Sequence, residues 1–221
     1  LVLTASHNPP EYNGYKAYNE YGIQLSTDET AALASNIAAI GSFAEVKIDE
    51  SLKTLAYLGD EVEDVYVDKI LKLSLSPFNK DLKIVYSPLF GVGLKPVQRL
   101  LDQVGANYHL VKEQSVPDGD FPTAKKPNPE EKEALARIIE EGRLVGGEIL
   151  LATDPDADRL GVMALHQGDY VYLTGNQIGA LLIDYILARS KVAPGRSYVL
   201  TSIVTSTFGA EVARTYGADT T

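Results

Sequence analysis

Two short segments hold residues whose types and spacing suit chemistry. One is Asp154-Pro155-Asp156-Ala157-Asp158-Arg159, three carboxylates at alternate positions directly after an apolar run. Carboxylates gathered on one point repel each other unless a cation neutralises them, and hard oxygen ligands of this kind suit Mg2+. An EF-hand is excluded, since Arg159 stands where that loop needs glycine and Leu165 where it needs glutamate. From the loop alone two other readings stay open. One is a solvated acidic turn. The other is an aspartyl phosphatase with Asp154 as nucleophile and Asp156 as acid, a pattern that favours Thr or Val where this chain has Asp158.

The second segment is Thr4-Ala5-Ser6-His7-Asn8-Pro9, with Asn13-Gly14-Tyr15-Lys16 following it. A serine at the end of an apolar strand, in a rigid polar loop, presents its hydroxyl at a sheet edge; a hydrogen-bonded turn serine is the alternative. The adjacent His7 does not by itself make a pair with Ser6, because catalytic groups assemble through space. Lys16, taken alone, reads as an ordinary exposed lysine.

These segments need a scaffold. Residues 1–4 read as a strand entering the Pro9-Pro10 loop, and residues 15–18 and 23–25 as a hairpin. A helix is expected over 29–40, capped by Thr27 or Asp28 and closed by Gly41. A charge-rich stretch over 45–60 marks a domain boundary. Beyond it, helix 61–73 has Val62, Val65, Ile70 and Leu73 at core-facing spacing. Strand 82–86, helix 95–104 ended by Gly105, and strand 108–111 follow. Pro129 opens a helix through Glu141 that Gly142 ends, with Leu135, Ile138 and Ile139 buried. Strand 148–153 runs into the aspartate loop, and 160–165 with 170–172 form a hairpin about Gly168. Helix 177–189, a Pro194-Gly195 break, strand 198–204 and helix 207–216 complete the series. Strands alternating with helices predict an α/β layered fold.

Composition agrees with an ordinary globular protein: 221 residues, 45% hydrophobic and 23% charged. The net charge of −10 argues against nucleic acid or an anionic membrane as partner. With no cysteine, disulfides and thiolate metal sites are excluded, which suits a cytoplasmic enzyme. No apolar run reaches the roughly 18 residues that a membrane span requires.

Taken together, Thr-Ala-Ser-His-Asn-Pro, Asn-Gly-x-Lys and Asp-Pro-Asp-Ala-Asp-Arg, in this order, resemble the α-D-phosphohexomutase (phosphoglucomutase/phosphomannomutase) family. Pro88 to Gly93 and Pro127-Asn128-Pro129-Glu130 support the resemblance, and Pro10 to Lys16 is most similar to bacterial members acting on glucose phosphates. The resemblance implies domains with mixed β-sheets sandwiched by helices. It divides the chain into 1–48, the end of a first domain with the serine loop; 49–189, a second domain with the metal loop; and 190–221, the opening of a third.

The resemblance also implies a reaction and its residues. Ser6 carries a phosphoryl group and passes it to a hexose phosphate, and the resulting bisphosphate returns its other phosphate to Ser6. Asp154, Asp156 and Asp158, with an oxygen of the Ser6 phosphate, hold Mg2+. Lys16 moves a proton at the sugar hydroxyl, which requires its pKa to be lowered by positive neighbours. His7 and Asn8 shape the loop, and Arg159 pairs with a phosphate or carboxylate. Sugar phosphates are the implied partners, with glucose 1,6-bisphosphate as activator. Mannose, glucosamine and pentose phosphates stay open as substrates. The family's Gly-Glu-x-Ser-Gly sugar loop and its Arg- and Ser/Thr-rich distal phosphate loop have no match here, so the 221 residues alone are expected to turn over weakly or to act only as a Mg2+-binding fragment.

Overall fold

The structure, a computed structural model, describes residues 1–48, 51, 56–190 and 196–221. Strand β1 (Val2–Leu3) pairs antiparallel with β2 (Tyr15–Lys16), Val2 facing Lys16. Thr4 extends this ribbon by donating its N–H to the Gly14 carbonyl at 3.0 Å, so the serine loop and Lys16 lie side by side. The hairpin expected beyond them is reduced to one bridge, Tyr18 to Gln24. Helix α1 (Thr27–Ala38) is capped by Ser26, not by Thr27 or Asp28. The Ser26 hydroxyl accepts from Glu29 N–H while the Glu29 carboxylate accepts from Ser26 N–H, which satisfies two orphan donors of the first turn.

Of the face its apolar spacing predicts, helix α2 (Asp60–Leu71) turns only Ile70 inward, and that partly. Val67 is fully buried, whereas Val62, Val65 and Leu73 are exposed. Charge pairs accompany this orientation. Arg99 of the next helix pairs with Glu63 at 2.6 Å and with Asp64, and Lys95 reaches Asp60 at 2.6 Å and Glu63 at 3.1 Å. These contacts bring the Glu63–Val67 face against that neighbour. Residues 49, 50 and 52–55 of the expected boundary, and the Pro194-Gly195 break, lie outside the described residues.

The following elements are β3 (Lys83–Ser87), α3 (Leu94–Val104), β4 (Asn107–Leu110), α4 (Ala136–Val145), β5 (Ile149–Thr153), β6 (Leu160–His166) and β7 (Asp169–Leu173). They form one mixed sheet of order β4-β3-β5-β6-β7, in which β3 runs parallel to β4 and β5 while β6 and β7 are antiparallel. Side-chain alternation gives the sheet two cores. Ile84 and Tyr86 with Ile149 and Leu151 pack against Leu101 and Val97 of α3. Val85, Leu150 and Ala152 pack against Ile138 of α4, with Leu135, Phe90 and Met163. Each fully buried Val, Leu or Ile among them contributes about 1.5–3 kcal/mol by leaving water.

Helix α4 starts later than Pro129. Residues 129–135 form successive turns, with Glu131 N–H on the Asn128 carbonyl and Ala134 N–H on the Glu131 carbonyl. Asn128 caps the first of these turns, its side-chain oxygen accepting from Glu130 N–H at 3.2 Å. Gly142 does not end α4 either. It lies inside the helix where a Cβ would come within 2.7 Å of Leu150 Cδ2, and Gly146, at φ +70°, ends it. Helix α5 (Gly175–Arg189) is capped by Thr174 with Gln177 as its reciprocal partner. It packs on α6 (Phe208–Thr215), where Tyr216 donates to Asp184 at 2.6 Å. Of the strand expected over 198–204, only β8 (Tyr198–Val199) forms, parallel to β9 (Asp219–Thr220). Ser202 and Thr205 hydrogen-bond to each other and bend the chain there.

This topology places the carboxyl ends of β3 and β5 next to each other, where open parallel sheets present their binding loops. The loop after β3 is held by a buried polar clamp. Ser87 Oγ accepts from Leu89 N–H and donates to Gln114 Oε1 at 2.6 Å, and Phe90 N–H reaches the Gln114 carbonyl at 2.7 Å. The clamp and the burial of Leu89 and Phe90 hold both residues in the left-handed region, at φ 44° and 66°. Gly91 then lies flat against the aspartate loop. A Cβ there would stand 2.3 Å from Pro155 Cα, and Val92 N–H donates to the Pro155 carbonyl at 2.9 Å. Replacing Gly91 by Ala is therefore expected to push the aspartate loop outward. The expected cost is about 1–3 kcal/mol, read as a lower thermal midpoint, with weaker divalent cation binding in a titration.

Candidate functional site

The site is built where the two motif loops meet. Ser6 adopts φ 52°, and its N–H is held by Thr4 Oγ1 at 2.8 Å. Asn8 N–H closes the turn onto the Ala5 carbonyl at 3.0 Å, and Tyr12 N–H onto Pro9 at 3.0 Å. The Ser6 hydroxyl is thereby turned onto Asp154 Oδ2, 3.1 Å away, with His7 Nδ1 at the same distance. Asp154 is fully buried at the end of β5. Its other oxygen accepts from Arg159 N–H at 2.9 Å, and Ala157, at φ 59°, donates its N–H to the Asp154 carbonyl, so the loop curls back on itself.

Asp154, Asp156 and Asp158 each offer an oxygen within 4.8 Å of the others. Lys16 lies against two of them, 3.3 Å from Asp156 Oδ2 and 3.1 Å from Asp158 Oδ2. Asp156 Oδ2 also accepts from Thr4 Oγ1 at 3.1 Å, while Asp156 Oδ1 is buried without a hydrogen-bond partner. A buried carboxylate oxygen with no donor, beside two further carboxylates, fits a cation better than it fits a solvated turn. The donor set is all oxygen, which suits Mg2+.

The charges respond to this crowding. Burial, with Asp156 alongside, pushes the Asp154 carboxyl up to about 6. Burial acts on Asp156 as well, but the groups gathered about it, the Asp154 carboxyl, Ser6, the Lys16 ammonium and the Thr4 hydroxyl, outweigh it and hold its pKa below the usual carboxylate range. The hydrogen bonds from Lys16 to Asp158 and Asp156 hold the ammonium above its ordinary value. The lowered pKa that proton abstraction by Lys16 demands is therefore not met while both carboxylates face it.

Asp154 also makes a prediction about pH. Its folded pKa lies above its ordinary value of 3.8, so it favours the fold while protonated, and that contribution is lost as pH rises from about 4 through about 6. A divalent cation compensates only once the carboxylate is ionised. The rise in thermal midpoint on adding Mg2+ is expected to be larger at pH 7.5 than at pH 5, as scanning fluorimetry with and without chelator would show.

The remaining expected residues are placed as follows. Arg159 Nη1 lies 3.4 Å from Asn128 Oδ1 and 3.5 Å from Glu130 Oε2, so its side chain pairs with a carboxylate outside the aspartate loop. His7 and Asn8 line a cleft of about 430 Å³ with Tyr12, Lys126 and Asn128, and a second cleft of about 390 Å³ lies along Thr4, Ser6, Tyr12, Pro155 and Asp156. Reading the sequence missed Thr4, Asn128 and the buried Tyr86–Thr153 pair, whose hydroxyls are 2.9 Å apart beside Gly93. Thr4 and Asn128 stand inside motifs that were already in view, with no role assigned to them; Tyr86 shows no signal until the fold places it.

Comparison with known proteins agrees with this arrangement. Sequence models of phosphoglucomutase/phosphomannomutase α/β/α domain I and α/β/α domain II match residues 1–43 and 64–167. The chain belongs to the phosphoglucomutase/phosphomannomutase family. This is a family of mutases, and both motif loops fall inside the matched segments. The chain is 36% identical over 202 residues to a phosphoglucomutase of Staphylococcus epidermidis, covering 89% of this chain and 37% of that protein. It is 36% identical over 220 residues to the phosphoglucomutase of Staphylococcus haemolyticus, covering 97% and 40%. A crystal structure of a phosphoglucomutase/phosphomannomutase family protein from Burkholderia thailandensis superposes with a TM-score of 0.74 at 25% identity, over 99% of this chain and 43% of that one. The chain thus spans less than half the length of these relatives. Among the described residues no helix is long and apolar enough to cross a membrane.

Proposed function

We propose that this chain carries the phosphoryl-transfer half of a mutase that interconverts hexose 1-phosphate and hexose 6-phosphate, with glucose as the sugar. The observation that carries the proposal is the contact of Ser6 Oγ with Asp154 Oδ2 at 3.1 Å, which joins the two motif loops across most of the chain. The choice of glucose follows the phosphoglucomutases to which the chain is similar. Segment 1–48 is proposed as the end of the first domain, 49–189 as the second and 190–221 as the opening of the third. A cysteine-free chain acting on sugar phosphates suits the cytoplasm.

In the proposed cycle Ser6 bears the phosphoryl group. The bond from phosphorus to Ser6 Oγ breaks as a bond to a sugar hydroxyl oxygen forms, and the hydroxyl's proton ends on Ser6 Oγ. The product is a hexose bisphosphate, and the reverse step with its other phosphate regenerates phosphoserine. Asp154, Asp156 and Asp158 would hold Mg2+, which when bound supplies positive charge beside the Ser6 oxygen. The Lys16 ammonium, placed against the same carboxylates, adds a donor for phosphoryl oxygens. Its service as a base requires those carboxylates to be neutralised first. His7 and the Asn8 backbone keep the Ser6 loop turned inward. Glucose 1,6-bisphosphate is the proposed activator because it loads Ser6 directly.

The test is phosphopeptide mapping after incubation with glucose 1,6-bisphosphate and Mg2+. Acid-stable phosphate on Ser6 supports the proposal. Acid-labile phosphate on Asp154 would transfer the chemistry to an aspartyl phosphatase.

A further inference from the structure

Thr4 makes more cross-chain connections than a strand-end residue needs. Its N–H is bound to the Gly14 carbonyl at 3.0 Å, in the segment that leads to Lys16. Its hydroxyl oxygen accepts from Ser6 N–H at 2.8 Å and donates to Asp156 Oδ2 at 3.1 Å. One hydroxyl has one proton and two lone pairs, so both bonds form together and each fixes the direction of the other.

The consequence for Asp156 is geometric. Oδ2 is engaged by Thr4 and Lys16, and Oδ1 is left buried with no partner. Lys16 holds Oδ2 only from a long, flexible and partly exposed side chain, at 3.3 Å. Thr4 is short and is fixed by the β1–β2 ribbon at Gly14, where a Cβ would come within 2.9 Å of the Thr4 carbonyl. The rigid determinant of the Asp156 rotamer is therefore Thr4. Its second bond, to Ser6 N–H, supports the left-handed turn that points the Ser6 hydroxyl at Asp154.

We propose that Thr4 is a positioning residue: its hydroxyl binds the Ser6 backbone and Asp156 Oδ2 together, so that Asp156 Oδ1 faces the cation site in register with the serine. The proposal rests on the reading of the aspartate loop as a cation site. Groups that orient metal ligands through hydrogen bonds govern affinity in this way. The Thr4 methyl has no part in it, so serine should serve and valine, which keeps the shape without the hydroxyl, should not.

The test is titration of the chain with Mn2+, bound and free metal being separated by electron paramagnetic resonance, with circular dichroism and thermal midpoint recorded for every variant. Thr4→Val is expected to weaken Mn2+ binding roughly 10-fold or more, and Thr4→Ser to stay within about 2-fold of wild type. Thr4→Ala replaces Thr4→Val should the latter fail to fold. A valine or alanine variant that binds like wild type overturns the proposal, as does a serine variant that weakens binding as much as valine does. Asp154→Asn is the control for the underlying reading. If it also binds like wild type, the cation site itself is wrong; if it alone loses binding, only the role of Thr4 is.

Discussion

Ser6→Ala is expected to abolish phosphate incorporation completely. Incubated with glucose 1,6-bisphosphate and Mg2+, the native chain should gain the mass of one phosphate, and the variant none. The expectation rests on position. Among the described residues Ser6 is the serine whose hydroxyl meets the carboxylate cluster, 3.1 Å from Asp154 Oδ2, and its left-handed turn directs it there. Alanine in place of Ser6 removes the acceptor oxygen and leaves the Thr4–Gly14 ribbon and the Asn8–Ala5 turn to hold the loop, both of which are backbone contacts. Thermal midpoints of the two chains should therefore differ little, which separates lost chemistry from lost fold. A variant that still takes up phosphate would place the nucleophile elsewhere, and acid lability of that phosphate would point to Asp154. If neither is labelled, the same pair is to be compared in a chain extended to the length of its relatives, where an unlabelled unsubstituted chain would overturn the assignment of Ser6.

Asp156→Asn has the second largest expected effect, on cation binding. Removal of one of three converging charges takes away a ligand and not merely its support, so the loss should exceed the 10- to 100-fold typical of supporting residues; about 100-fold or more is expected in a Mn2+ titration. In the metal-free protein the same change has two opposed effects, because it also gives up the Lys16 ion pair that helps hold the Asp156 pKa below the usual carboxylate range. Asp154 is pushed up to about 6 by burial and by Asp156 beside it, and asparagine relieves that repulsion while its oxygen still accepts from Thr4. The native chain at a Mg2+ concentration of about 100 times its dissociation constant gains roughly 2.7 kcal/mol, a gain that the variant should lack. A variant that is stabilised by Mg2+ as strongly as the native chain would show that Asp156 is not a ligand.

Local signals in the sequence carried much of the fold. Gly105 ends α3 in the left-handed conformation, at φ 68°, as its position after Val104 predicts. The Gln167-Gly168 pair turns the β6–β7 hairpin with both residues at positive φ. The short apolar runs became the sheet strands, and Ile138 became a buried centre of its core. These outcomes depend on few neighbours, so they are written into adjacent residues. The cap of α1 was legible in kind but not in place, since Ser26 won through Glu29, its partner three residues on.

What the sequence determined by itself was the chemical inventory: a serine loop, a lysine close behind it, a triple-aspartate loop, and an α/β frame to hold them. Only the tertiary structure decided how these are used. It buried Val67 as the inward residue of α2, began α4 after a run of turns, and set Lys16 as an ammonium between two carboxylates. It also gave Thr4 its two partners and left Asp156 Oδ1 buried and bare. The reason is physical. Residue type and spacing fix what a group is able to do, but its pKa, its rotamer and its partners depend on burial and on atoms far away in the chain, here contributed by segments as distant as Thr4 and Asp156.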